Sequence, residues 1–204
     1  MRVDDPCFLG DRGQGFRILM VILSSKTKTL LWGSNIWYLG EGMLGPLFAV
    51  FAQRIGGNIL DITWAWAAYL AVTGVLTIWV GKISGKKIAP EKLLMAGYIV
   101  NALFTFGYLL VSAPWHLLLV QIGLGLAVAL SVPTWSALYS DSGGNHEASY
   151  LWSLPTGQYY LVTAAAVILG GLIVNYFSFT VLFLTMGIIQ IAATLYQARI
   201  FRHI

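Results

Sequence analysis

Apolar residues along this chain come in long blocks separated by short polar stretches. The blocks run Leu30–Ala52, Ile62–Val80, Leu93–Val111, Leu117–Tyr139, Gly157–Val174 and Phe179–Tyr196. Each holds about 19 residues or a little more, the length that spans a hydrocarbon core of roughly 30 Å at helical rise. Backbone polar groups in lipid must pair within their own segment, so each block is expected to be a helix. The last two blocks are separated only by Asn175 to Ser178, which leaves room for a tight turn. The alternative of one continuous helix there would far exceed the bilayer thickness.

Composition strengthens that picture. Hydrophobic residues make up 58% of the 204 and charged residues 10%, against about 25% charged in an ordinary soluble domain. The net charge of +4 would suggest nucleic acid only if the basic residues formed a patch. Here they flank the apolar blocks, as topology signals do, and no nucleic-acid-binding pattern competes. The implied partner is the lipid bilayer. Phe16 to Leu23 is a short apolar run, but Lys26 and Lys28 follow it instead of a small-residue cleavage site, so a cleaved leader is not expected. Met20 is a second possible start. The single cysteine, Cys7, excludes an internal disulfide.

Lysine and arginine give an orientation. Arg2, Arg12, Arg17, Lys26 and Lys28 precede the first block; Lys82, Lys86, Lys87 and Lys92 join the second to the third; Arg199 and Arg202 close the chain. With six crossings these segments share one side, and of 12 basic residues only Arg54 falls opposite. The bias predicts cytoplasmic ends at both termini. The expected division is a tail over 1–28, a six-helix membrane domain over 29–198 and a basic tail over 199–204. The loop Ser140–Ser149, with Asp141, His146 and Glu147, adds nothing to the bias. A weak repeat accompanies the pattern. Gly81 and Gly97 recur as Gly171 and Gly187, and Leu93-Leu94 as Phe183-Leu184, all at an offset of 90 residues. Three helices per copy is an odd number, so the copies would be inverted, a recurring transporter design.

Among the residues that could carry chemistry, Glu41 stands first. An acid at the middle of a membrane block costs roughly 2.5–3.5 kcal/mol on insertion scales, so it must face a wet cavity, meet a partner or be protonated. Ser34, Tyr38, Glu41 and Gly45 share one helical face. The functional expectation is a proton or substrate site at Glu41, Tyr38 and Ser34; the structural alternative is a carboxyl hydrogen-bonded to a neighbouring helix. Gly40, Gly42, Gly45 and Pro46 surround it as a hinge or as close helix packing. Gln121 joins the site list because Gly123, Gly125 and Pro133 after it mark a flexible helix. Asn101 and Gln190 are read as packing residues, Asp61 as a helix N-cap, and Trp37, Trp64, Trp66, Trp115 and Trp152 as an interfacial aromatic belt. Enzymatic groupings are absent from the sequence. His116, His146 and His203 have no metal-ligand spacing, no nucleophile elbow or phosphate-binding glycine loop occurs, and neither a metal nor a cofactor is expected.

At these residues the chain resembles the major facilitator superfamily. Gly81-Lys-Ile-Ser-Gly-Lys-Lys87 is similar to the family's loop signature between helices two and three, with Gly81, Ser84, Gly85, Lys86 and Lys87 at its positions. Gly170-Gly-Leu-Ile-Val-Asn-Tyr-Phe-Ser-Phe179 is similar to the end of its fifth helix, and Gln121 to Pro133 to part of its fourth. Two positions depart from the pattern: Ser84 and Gly85 stand near the signature's acid, and Leu118 stands where an arginine is usual. The resemblance implies an all-α membrane bundle of six helices as two inverted three-helix repeats, with helices one and four lining a cavity. Family members usually have twelve helices, so this chain looks like a stand-alone half. The implied function is movement of a small, unidentified solute across the cell membrane by alternating access. Proton coupling through Glu41 and assembly as a homodimer, or with a second six-helix half, follow from the same reading. A non-transporting membrane partner is the alternative. For a homodimer, the small residues Ala67, Ala71, Ala166 and Gly170 are the expected interface.

Overall fold

The computed structural model describes residues 24–142 and 148–203. Arg2, Cys7, Arg12, Arg17, Met20, His146 and Glu147 lie outside them. Helices are α1 (Ser25–Gly42), α2 (Leu47–Arg54), α3 (Ile59–Ile83), α4 (Pro90–Gly107), α5 (Pro114–Ser142), α6 (Ala148–Tyr176) and α7 (Phe179–Gln197). Short 3-10 turns follow α4 at Tyr108–Leu110 and α7 at Ala198–His203. Among the described residues the only β feature is a single bridge between Ser84 and Ile88.

Among the described residues, five helical stretches are long and apolar enough to cross a membrane: Ile59–Ile83, Pro90–Leu110, Pro114–Asp141, Leu151–Tyr176 and Phe179–Arg202. The first apolar block behaves differently. It breaks between Gly42 and Leu47, because Pro46 has no N–H to donate to the Gly42 carbonyl. Met43 (φ −62°, ψ −31°) and Pro46 (φ −66°, ψ −19°) keep right-handed helical backbone. The Gly45 carbonyl accepts from the Phe48 N–H at 3.2 Å.

Helix ends carry their own signals. Asn58, not Asp61, is the N-cap of α3. Its side chain accepts from the Asp61 N–H at 3.0 Å, and the Asp61 carboxylate accepts from the Asn58 N–H at 2.9 Å. Asp61 is the third helical residue of a capping box, so the single-cap expectation named the wrong member of the pair. Ser178 caps α7 and confirms the break after Tyr176. Gly85 takes φ +74°, which a side chain resists, to turn the α3–α4 loop tightly. The fifth block starts earlier than the apolar run suggested, at Ala148 rather than Gly157, and carries Pro155 inside the helix.

The bundle is held by close approach. Gly33 lies against Gln197 and Gly40 against Gln190, so α1 and α7 run antiparallel with matched seven-residue spacings. Gln190 donates Nε2–H to the Trp37 carbonyl at 3.1 Å, the packing role expected of it. Gly97 on α4 meets Ser131 and the Ala127 carbonyl of α5. Gly170 lies directly on the Met43 backbone at the break, and Ala166 meets Gly42. Both are buried, so the expectation that they form an outward dimer face is corrected: small residues here admit α6 to α1 within the bundle.

The core falls into two clusters toward opposite ends. One gathers Leu30, Leu31, Trp37, Leu94, Tyr98 and Tyr139. The other gathers Met43, Phe48, Phe51, Tyr108, Phe179 and Phe183; its rings meet at 4.7 Å between Phe51 and Phe183 and 5.0 Å between Tyr108 and Phe183. Lys26 pairs with Glu91 at 3.2 Å and ties the start of α1 to that of α4.

Candidate functional site

Glu41 sits next to the last residue of α1, beside the break, between the two core clusters. The break leaves space that helical packing would fill, and two cavities meet there. The larger, about 390 Å³, lies toward the start of α1. It is walled by Ser34, Trp37, Tyr38 and Glu41 of α1, Tyr98 of α4, Ser131 and Trp135 of α5, and Trp152 and Tyr159 of α6. The smaller, about 260 Å³, lies on the α2 side and takes in Gly42, Gly45, Phe48, Tyr108 and Gln121. Glu41, Tyr69 and Tyr159 border both.

The expected site residues therefore divide. Ser34, Tyr38 and Glu41 come together in the larger cavity; Gln121 joins Glu41 only in the smaller. Ser34 donates its hydroxyl to the Leu31 carbonyl of its own helix at 2.9 Å. Tyr38 meets Tyr159 edge-on at 4.7 Å. Trp37 is buried and packs edge-on against Tyr98 at 4.4 Å, so it belongs to the cavity wall and not to the interfacial belt. Trp64, Trp66 and Trp115 are exposed, as belt residues would be.

The glycine and proline group is placed variously. Gly40 and Gly42 are in helix contacts, Gly45 and Pro46 form the break, and Pro133 lies inside α5. Around Pro133 side chains take up backbone carbonyls: Thr134 donates to the Leu130 carbonyl at 2.6 Å and Ser131 to that of Ala127 at 2.8 Å. The loop residues Gly81, Ser84, Gly85, Lys86 and Lys87 stand apart from both cavities, and both lysines are exposed.

One residue was assigned too small a part. Asn101 of α4 is fully buried, and its Nδ2–H donates to Glu41 Oε2 at 3.4 Å. A membrane acid calls for a wet cavity, a partner or a proton, a need the sequence shows without naming Asn101 as the residue that meets it. Among the described residues no Lys, Arg or His lines either cavity. Among the described residues no cluster of His, Cys, Asp and Glu is suited to a metal ion. An acid without a basic partner, set among rings, can hold a proton or attract a cation through charge and ring faces.

A family model described as Major Facilitator Superfamily matches residues 30–203. The chain belongs to the Major Facilitator Superfamily. Its fold, an all-helical membrane bundle, accords with that membership in a family of transporters rather than enzymes. The Multidrug resistance protein MdtG of Salmonella schwarzengrund is 27% identical over 119 residues, 56% of this chain and 29% of that protein. The proteins of the same name from Salmonella arizonae and Salmonella newport are 26% identical over a stretch of the same length. The matched stretch spans less than a third of the length of these curated relatives.

Proposed function

We propose that this chain moves a small organic solute across the cell membrane by alternating access, coupled to protons through Glu41. The observation that carries the reading is the position of Glu41, which borders two cavities extending toward opposite ends of the bundle and has no basic partner among the described residues. A carrier needs one site reachable from either side in turn. Ser34, Tyr38 and Gln121 line the route, and the Gly40–Pro46 stretch and Pro133 serve as hinges. The cavity walls favour an apolar or cationic solute over an anion, since rings surround one acid and no base. The relatives' name, multidrug resistance protein, fits an organic solute of that kind.

The topology in this reading is six crossings, with α1 and α2 together as the first and both termini cytoplasmic. Lys26, Lys82, Lys86, Lys87, Lys92, Arg199 and Arg202 then share the cytoplasmic side. The packing pattern supports two inverted repeats. Helix α5 packs on α3 and α4, while α1 packs on α6 and α7. Exchanging the first, second and third crossings with the fourth, fifth and sixth converts one set into the other. Because α3 and α6 are the least buried spans, a second bundle fits against them, from a second copy or another six-helix half. Ala67 and Ala71 are exposed on that face.

The departures at Ser84, Gly85 and Leu118 favour the second reading, a membrane partner that does not transport. Counterflow in proteoliposomes separates the two. Accumulation of labelled tetraphenylphosphonium against excess internal unlabelled ion supports transport; equilibration no faster than in protein-free vesicles favours the partner.

A further inference from the structure

Asn101 presents Nδ2 to Glu41, yet its other amide atom, Oδ1, is buried with no hydrogen-bond partner. Buried polar atoms in native proteins nearly always find one. The chemistry of the pair offers Oδ1 one when the acid is neutral, with Nδ2 giving up its own in exchange. A carboxylate only accepts hydrogen bonds, whereas the neutral acid also carries one O–H donor; an amide has both donor and acceptor ends. A half-turn of the Asn101 amide about χ2 exchanges Nδ2 for Oδ1 in front of Glu41 Oε2.

We propose that Asn101 is the proton-state partner of Glu41, donating Nδ2–H to the carboxylate and, with its amide turned over, accepting the O–H of the neutral acid at Oδ1. The proton comes from hydronium in either cavity: one of its O–H bonds breaks as the Oε2–H bond forms, leaving water behind, and no carbon bond changes. The other ionisable groups near Glu41 are phenols: Tyr38 on its own helix, Tyr69 on α3, Tyr98 and Tyr108 on and just after α4, and Tyr159 on α6. Neither α5 nor α7 contributes an ionisable side chain to the cavity walls. Asn101 is thus a positioning residue. It keeps the α1–α4 contact in both protonation states and holds the carboxyl at the junction of the cavities. The inference rests on the proposed proton coupling at Glu41.

The test is infrared difference spectroscopy of the reconstituted protein between acidic and alkaline pH. The carboxyl C=O band of Glu41 is the one lost in Glu41→Gln. In Asn101→Leu that band should shift to higher frequency, as a carboxylic acid does when it loses its hydrogen-bond partner. In the native protein, 15N labelling of asparagine side-chain amides should shift a band in the same difference spectrum, a readout that does not depend on the variant folding. A Glu41 band unmoved in Asn101→Leu, or a native spectrum without a 15N-sensitive amide band, overturns this inference alone. Absence of any Glu41 band overturns both the inference and the proton coupling beneath it.

Discussion

Helices α1 and α3 are both read as crossing the membrane, but they are built on opposite plans. Helix α3 is 25 residues long and nearly all apolar, and only Ala65 and Val80 on it are buried. Leu70, Val75, Ile78 and Trp79 point outward. Helix α1 is less apolar and carries Gly33, Ser34, Gly40 and Glu41, yet it packs on both α6 and α7 and walls both cavities. Water explains the inversion. In lipid an outward leucine costs nothing, so apolar surface does not drive helices together, and close contact falls to small and polar residues. The helix that looks least suited to a membrane is one that holds α6 and α7 and borders both cavities.

That contrast predicts a gradient of mutational cost. The largest effect is expected at Gly170, where an added side chain would overlap the Met43 backbone, which cannot step aside. Gly170→Leu should destabilise the bundle by about 3 kcal/mol, at the upper end of ordinary overpacking, and collapse the yield of folded protein in size-exclusion chromatography. Gly33 tests the α1–α7 seam more gently, since the atoms in the way are the end of the Gln197 side chain. Gly33→Ala should cost roughly 1–2 kcal/mol by the same overpacking argument, and Gln197→Ala made with it should recover part of that loss, a coupling a double-mutant cycle in mixed-micelle denaturation would measure.

On α3 the sensitive residue should be its cap. Asn58→Ala removes one arm of the capping box and should cost about 1 kcal/mol. Ile78→Ala, in the middle of the outward face, should change the unfolding free energy by no more than about 0.5 kcal/mol. A large loss at Ile78 with none at Gly33 would reverse the contrast and show that the outer face is packed in the working assembly.

The same contrast marks what the sequence could reveal. Apolar block length locates α3 to α7 but reads α1 and α2 as one helix, and the cluster Gly40, Gly42, Gly45, Pro46, read as a hinge or close packing, falls at their break, because both signals are local along the chain. The start of α6 was misplaced by nine residues, since Pro155, Thr156 and Gln158 dilute the apolar pattern without stopping the helix. Asp61 was taken for the cap because the reciprocal bond from Asn58 depends on backbone geometry. Asn101 was read as a packing residue for a deeper reason. Its meeting with Glu41 joins positions 60 residues apart, and no periodicity within one helix encodes which neighbour a buried amide will face. Ala166 and Gly170 show the same limit: small-residue spacing announces a close contact without saying which helix makes it.

The acid on α1 is proposed to carry the proton that drives solute movement. Glu41→Gln keeps the size of the side chain, resembles the neutral acid in having donor and acceptor ends, and removes its titration. In proteoliposomes loaded with labelled tetraphenylphosphonium, flux driven by an imposed pH gradient should fall to the level of empty vesicles in this variant, while exchange of labelled for unlabelled ion continues. Gradient-driven flux in Glu41→Gln equal to that of the native protein would contradict the claim.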